Sequence, residues 1–229
     1  MSFSSRVKEE IASSLPTAPC CMHAMTYGML LFAREFDRSA ISIMTEHRCV
    51  AETYRTLLEQ AVHVTPAVQQ SDAGNYTVSV EDGDIPAVLS CFSVSENAAI
   101  ARVNRGNLLN ERMGEEGLNC CHNAFFKGAF LSCGTISDPN KNYHLEFVVP
   151  FRTLSFDLLK LLTDAGINQT RHRILLVMRV DMSLFMPWRV VSTSVETEIL
   201  ISETVIVGDV PKSYLNWENT NGRFGKGIQ

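Results

Sequence analysis

The chain has 229 residues, 45% of them hydrophobic and 20% charged, with a formal net charge of −5. That is enough for one large domain or two modest ones around a real core, and no apolar run approaches the roughly 20 residues of a membrane span. Residues 1–140 hold 10 Lys and Arg against 16 Asp and Glu, and residues 141–229 hold 10 against 9. Composition therefore advertises no basic face of the kind that binds phosphates by counterion release. The seven cysteines are an odd number and make no disulfide framework. The N-terminal stretch MSFSSRVKEEIASSLP lacks an apolar signal core, so a cytoplasmic protein with reduced thiols is expected.

In chain order, the first strong signal is CCMHAMTYGMLLFARE at 20–35. Cys20, Ala24 and Gly28 recur every fourth place, which lines one face of a helix with small side chains. Small residues there let two helix backbones approach more closely than the usual 8–10 Å. Next come SAISIMTE at 39–46, which alternates like a strand, and CVAETYRTLLEQAVHV at 49–64. In the latter Val50, Tyr54, Leu57, Leu58 and Ala61 form an apolar helix stripe. NYTVSVE at 75–81 reads as a strand. A looser stretch near 82–118 follows, with a helix expected to break near Gly106.

The opening phrase then returns. CCHNAFFKGAFLSCGT at 120–135 repeats the small-residue stripe as Cys120, Ala124 and Gly128, at an offset of 100. Behind it come NYHLEFVVP at 142–150, a strand, and FRTLSFDLLKLLTDAG at 151–166, a helix with Gly166 as its expected C-cap. RHRILLVMRV at 171–180 is a further strand. Each unit reads helix, strand, helix, strand. The predicted organisation is an arm and first repeat over 1–85, a joining segment over 86–118, a second repeat over 119–180 and a divergent tail over 181–229.

These residues carry a family resemblance. The repeated phrase resembles a degenerate LAGLIDADG motif, the helix pair at the dyad of homing endonucleases. MSFSSRVKEEIASSLP, the cysteine-pair helix near 20, NCCHNAFFKGAFLSCGTISDPNKNYHLEF at 119–147 and TRHRILL at 170–176 are similar to the WhiA family of bacterial regulators. The resemblance runs from Met1 to about Leu176. It implies an α+β fold with two pseudo-twofold-related repeats and a saddle-shaped antiparallel sheet. It implies a transcription regulator of sporulation, cell division and chromosome segregation, partnered by double-stranded DNA and associated with the nucleoid. Family members add a C-terminal helix-turn-helix, which a chain ending at Gln229 is expected to lack. SLFMPWRVVSTS at 183–194 has no family counterpart, and VIVGDVPKSYLNWENTN at 205–221 echoes a family stretch.

A nuclease of this motif needs a carboxylate near the end of each motif helix to hold Mg²⁺, a hard cation that wants oxygen ligands. Here the resemblance puts Cys133 and Ala33 at those positions. Glu35 stands two places on, rotated about 200° around a helix, and Asp138 lies in the SDPN turn. No catalytic residue, metal or other cofactor is expected. Cys20, Cys21, His23, Cys120, Cys121 and His122 invite a zinc reading. Adjacent cysteines point about 100° apart on a helix, however, and tetrahedral sites favour ligands separated by a few residues. The cysteines are therefore assigned to packing at the dyad, with Cys20, Ala24, Gly28, Cys120, Ala124 and Gly128 as its contact stripe.

The basic groups expected to meet DNA are Lys141, His144, Arg171 and Arg173, on strands or strand edges of the second unit; Arg171 and Arg173 alternate and so share a face. Arg102 and Arg105 in the joining stretch are weaker candidates. Two other readings stay open at this point. One is a protein-interaction scaffold without direct DNA binding, partnered for example by a second transcription factor. The other is a relict Mg²⁺-dependent homing endonuclease.

Overall fold

A computed structural model describes residues 2–94, 102–108, 120–138, 145–165, 174–178 and 204–207. The N-terminal arm is a helix, α1 (Phe3–Ser13), capped by the Ser2 hydroxyl accepting from the Ser5 amide at 3.0 Å. Its Val7 and Ile11 lean on the core. α2 (Pro19–Leu31) begins with proline, whose missing N–H would have no helical partner there in any case. β1 (Glu35–Phe36) and β2 (Ile41–Thr45) follow, then α3 (Arg48–Ala61). The outer face of α3 carries the i,i+4 pairs Arg48–Glu52 and Arg55–Glu59, and its inner face buries Val50, Tyr54, Leu57 and Leu58. β3 (Ala67–Gln70) and β4 (Tyr76–Ser79) form a hairpin whose turn needs Gly74 at φ +85°.

A short helix, α4 (Ile85–Cys91), and a 3₁₀ turn at Arg105–Asn107 belong to the joining stretch. Residues 102–104 are not helical, and the rest of the helix expected to break near Gly106 lies outside the described residues. The second unit runs α5 (Cys120–Cys133), β5 (Gly134–Ile136), β6 (Leu145–Val149), α6 (Arg152–Asp164), β7 (Ile174–Met178) and β8 (Thr204–Val207). The proposed C-cap Gly166 lies outside the described residues; α6 is capped at Ala165, whose amide donates to Leu161 O at 3.0 Å.

The α+β architecture is thus two helix-and-sheet units around a paired-helix centre. The expected antiparallel sheet is realised as two four-stranded sheets, ordered β1-β2-β4-β3 and β5-β6-β7-β8. The first is antiparallel throughout. The second departs from expectation at one place: β6 and β7 pair in parallel, Leu145 opposite Ile174, with α6 as the connection between them. A strand-length apolar run such as ILLVM carries no sign of its direction, and a helical crossover is what parallel neighbours require. One core, from Cys21 to Leu162, binds α2 and α5 to the inner faces of α3, α6 and the first sheet.

Candidate functional site at the helix dyad

α2 and α5 lie against one another through their small residues. A Cβ placed on Gly28 would run into the carbonyl oxygen of Phe125 and stand 3.1 Å from the amide nitrogen of Ala129. A Cβ on Gly128 would run into the carbonyl of Met25 and stand 3.0 Å from the amide of Met29. The two glycines therefore allow backbone to touch backbone, reciprocally, as a pseudo-twofold axis requires. Ala24 and Ala124 are buried in the same seam. The Ser132 hydroxyl donates across it to Met29 O at 2.7 Å. Beside it the Tyr27 and Phe125 rings meet at a tilt with centres 5.9 Å apart, and Phe92 stacks on Tyr27 at 5.6 Å.

The N-terminal ends of both helices bring four cysteines together. The Sγ atoms of Cys20 and Cys21 are 4.0 Å apart, as are those of Cys120 and Cys121. All four sulfurs lie within 4.8 Å of one another. Cys21 and Cys121 are buried, Cys20 is half-buried and Cys120 is exposed. Burial, reinforced by hydrogen bonding to Cys120, pushes the Cys21 thiol well above its ordinary range. Spacing along one helix bears on each cysteine pair alone; the dyad places the second pair beside the first. His23 and His122 do not join this cluster. His23 Nε2 instead meets Asn107 Oδ1 at 3.0 Å.

At the C-terminal ends the motif positions hold no acid. Ala33 follows α2 in a turn and Cys133 is the last residue of α5; both are buried. The first carboxylate on a strand after each motif helix has a hydroxyl partner on the neighbouring strand. Glu35 on β1 accepts from Ser42 on β2, and Glu146 on β6 accepts from Thr135 on β5 at 3.4 Å. A methyl group and a thiol are not the donor set of a magnesium site, so the residues here do not fit that ion.

Sequence reasoning missed Lys8. It is buried against Phe130, its Nζ 5.9 Å from the ring centre, and burial lowers its pKa while Cys133, Glu46 and Cys49 act in the opposite sense. The hint available was a lysine on the face shared with Val7 and Ile11, which nothing in composition distinguishes from a solvated one.

The four cationic positions proposed for DNA, Lys141, His144, Arg171 and Arg173, lie outside the described residues. Arg102 and Arg105 are committed elsewhere. Arg102 makes two bonds of 2.8 Å to the Asp157 carboxylate, and Arg105 pairs with Asp164 at 2.9 Å. Both ties fasten the joining stretch to α6. The face of the first sheet turned away from α3 carries Met44, Thr77 and Gln69, with Arg34 reaching Met44. Among the described residues no helix is long and apolar enough to cross a membrane.

Comparison with known proteins adds three findings. A family model described as sporulation protein YunB matches residues 144–213. Curated relatives are named probable cell division protein WhiA. The one from Lachnoclostridium phytofermentans is 27% identical over 166 residues, covering 66% of this chain and 50% of that protein. The one from Ruminiclostridium cellulolyticum is 28% identical over 180 residues, covering 73% and 55%. The chain thus spans about half the length of the curated relatives it matches. Among solved structures, full-length DUF199/WhiA from Thermatoga maritima aligns with a TM-score of 0.54 at 15% identity, over 97% of this chain and 73% of that one. The N-terminal LAGLIDADG domain of DUF199/WhiA aligns with a TM-score of 0.50 at 16% identity, over 71% and 75%. The fold is therefore LAGLIDADG-like.

Proposed function

From its relationship to the WhiA proteins, in sequence and in fold, we propose that this chain is a DNA-binding regulator of cell division in which a nuclease-type fold serves for binding alone. The observation that carries the reading is the pairing of a LAGLIDADG-like helix dyad with Ala33 and Cys133 at the motif's acid positions. A binding fold that has lost its metal ligands keeps its shape, because the dyad is held by Gly28, Gly128 and their backbone contacts rather than by the acids. Sporulation is a second setting, supported by the YunB match alone.

The bases of DNA contact in this reading are Lys141, His144, Arg171 and Arg173, with Arg34 on the open face of the first sheet. Anisotropy of a labelled duplex across a salt series tests it. Affinity should fall steeply with salt, and Arg171→Glu with Arg173→Glu should weaken binding and flatten the slope by about one unit per lost phosphate contact. Unchanged affinity in the double variant would dismiss those contacts. The acidic balance of residues 1–140 favours a second reading, a scaffold for another regulator. It predicts no salt-dependent duplex affinity.

A further inference from the structure

We infer that Cys20, Cys21, Cys120 and Cys121 form one tetrathiolate site for a single soft divalent cation, zinc by the chemistry of its donors, which ties the N-terminal ends of α2 and α5 together at the dyad.

The geometry comes first. In a tetrahedral zinc–thiolate site with bonds of about 2.3 Å, neighbouring sulfurs stand about 3.8 Å apart. Each cysteine pair already has its sulfurs at 4.0 Å, and no two of the four exceed 4.8 Å. A contraction of at most about 1 Å, within reach of side-chain rotation, completes the shell. Symmetry supplies the rest. A tetrahedron has twofold axes that pass between pairs of its vertices. A pseudo-twofold that carries Cys20 and Cys21 onto Cys120 and Cys121 is one of them. Two adjacent cysteines make a poor clip alone, yet two such pairs facing across a dyad make a closed site.

Both pairs sit in the first turn of a helix, whose dipole favours thiolate and so opposes the burial and neighbouring sulfurs that raise the Cys21 thiol. Neither first turn contains an acidic residue, so the sulfurs are the anions available to these helix ends. Four thiolates this close repel one another strongly, and a divalent cation at their centre removes that cost. Soft sulfur donors select zinc or ferrous iron over magnesium, calcium or manganese. The close spacing suits one ion bound by all four sulfurs, not a cluster whose sulfurs ligate different irons. With four protein ligands no position is left for substrate, so the site is structural. The exposed Cys120 leaves a route in from solvent, while Cys21 and Cys121 close the inner side. The balance is simple: one divalent cation enters, four thiol protons leave to solvent, and no electron is transferred.

The inference stands apart from the DNA reading, because its test involves no nucleic acid. The whole reduced chain is stripped with a chelator under anaerobic conditions, then titrated with Zn²⁺ against a chromophoric competitor and separately with Co²⁺. The expected result is one ion per chain and proton release on binding. The cobalt form should show a thiolate-to-metal charge-transfer band and the intense visible absorption of tetrahedral geometry. Zinc should also slow alkylation of these four thiols. Cys21→Ser should lose more affinity than the roughly 10–100-fold that an outer-shell partner costs. Because Cys21 is buried, Cys120→Ser is the companion variant; it should keep the circular dichroism of the wild type and still weaken binding by more than that factor. Substoichiometric zinc, a pale octahedral cobalt spectrum, or wild-type affinity in Cys120→Ser would overturn the assignment.

Discussion

The two units of this chain agree at the dyad and in the helix behind it, and part at the third strand of each sheet. At the dyad the agreement is close. Gly28 meets the backbone of α5 as Gly128 meets that of α2, and the cysteine pairs face one another. Behind the dyad the repeat shifts its phase. β2 and β6 stand 104 residues apart, from Ile41 to Leu145. At that offset the buried faces of the next helices coincide: Val50 with Leu154, Ala51 with Ser155, Tyr54 with Leu158, Leu57 with Leu161, and Leu58 with Leu162. The agreement ends at the third strand of each sheet. β4 arrives through a hairpin and runs antiparallel to β2; β7 is the next described element after α6 and runs parallel to β6. Of the second sheet, β6, β7 and β8 but not β5 lie within residues 144–213, the span matched by the YunB family model. Symmetry is thus enforced by a backbone contact that admits only glycine, and relaxed at the sheet, which answers only to its own neighbours.

The dyad predicts the largest effects. Gly28→Ala and Gly128→Ala each put a methyl group into a facing carbonyl, and each should cost about 3 kcal/mol of stability, read by urea denaturation. Equal losses sharpen the equivalence of the units, whereas one tolerant glycine breaks it. A middling effect is expected where the units differ. Asp157 accepts from Arg102 and also from the Val103 amide at 2.9 Å, while its equivalent in α3, Thr53, makes no such tie among the described residues. Asp157→Ala should cost about 1–2 kcal/mol, held down by the half-exposed Arg102, and should loosen residues 102–108 in hydrogen exchange. The smallest effect concerns Tyr54, whose buried hydroxyl has no hydrogen-bond partner among the described residues, where the twin position holds Leu158. Tyr54→Phe should raise stability by about 1 kcal/mol, measured by the same denaturation series. A loss instead would mean that the hydroxyl is satisfied and the two helices are less alike than they look.

Much of the fold was legible because its signals are local and periodic. The small-residue stripes placed α2 and α5, and the leucine-rich stripes placed α3 and α6 within a few residues. The misses have physical causes. α1 was read as a bare arm, since Phe3, Val7 and Ile11 are few and its charged residues dilute them. β3 contributes only Ala67 and Val68 before two glutamines, and Val68 lies exposed at the sheet edge, so no alternation marks it. The direction of β7 depends on its neighbour rather than on its residues. The cysteine cluster was invisible for a deeper reason: ligand spacing was judged along one helix, while the second half of the shell lies 100 residues away and is delivered only by the dyad. A separation of 55 residues likewise hid the tie between Arg102 and Asp157, which turns an apparent DNA-facing cation into a structural one.

On the proposed function, this fold holds duplex DNA and does not cut it. Incubating the whole chain with supercoiled plasmid, with Mg²⁺ and with chelator, reports both properties in one gel. The account predicts a retarded, salt-sensitive complex whose DNA is recovered fully supercoiled under both conditions. Nicked or linear DNA that accumulates with Mg²⁺ and stops with chelator, or the absence of any retarded complex at low salt, would contradict it.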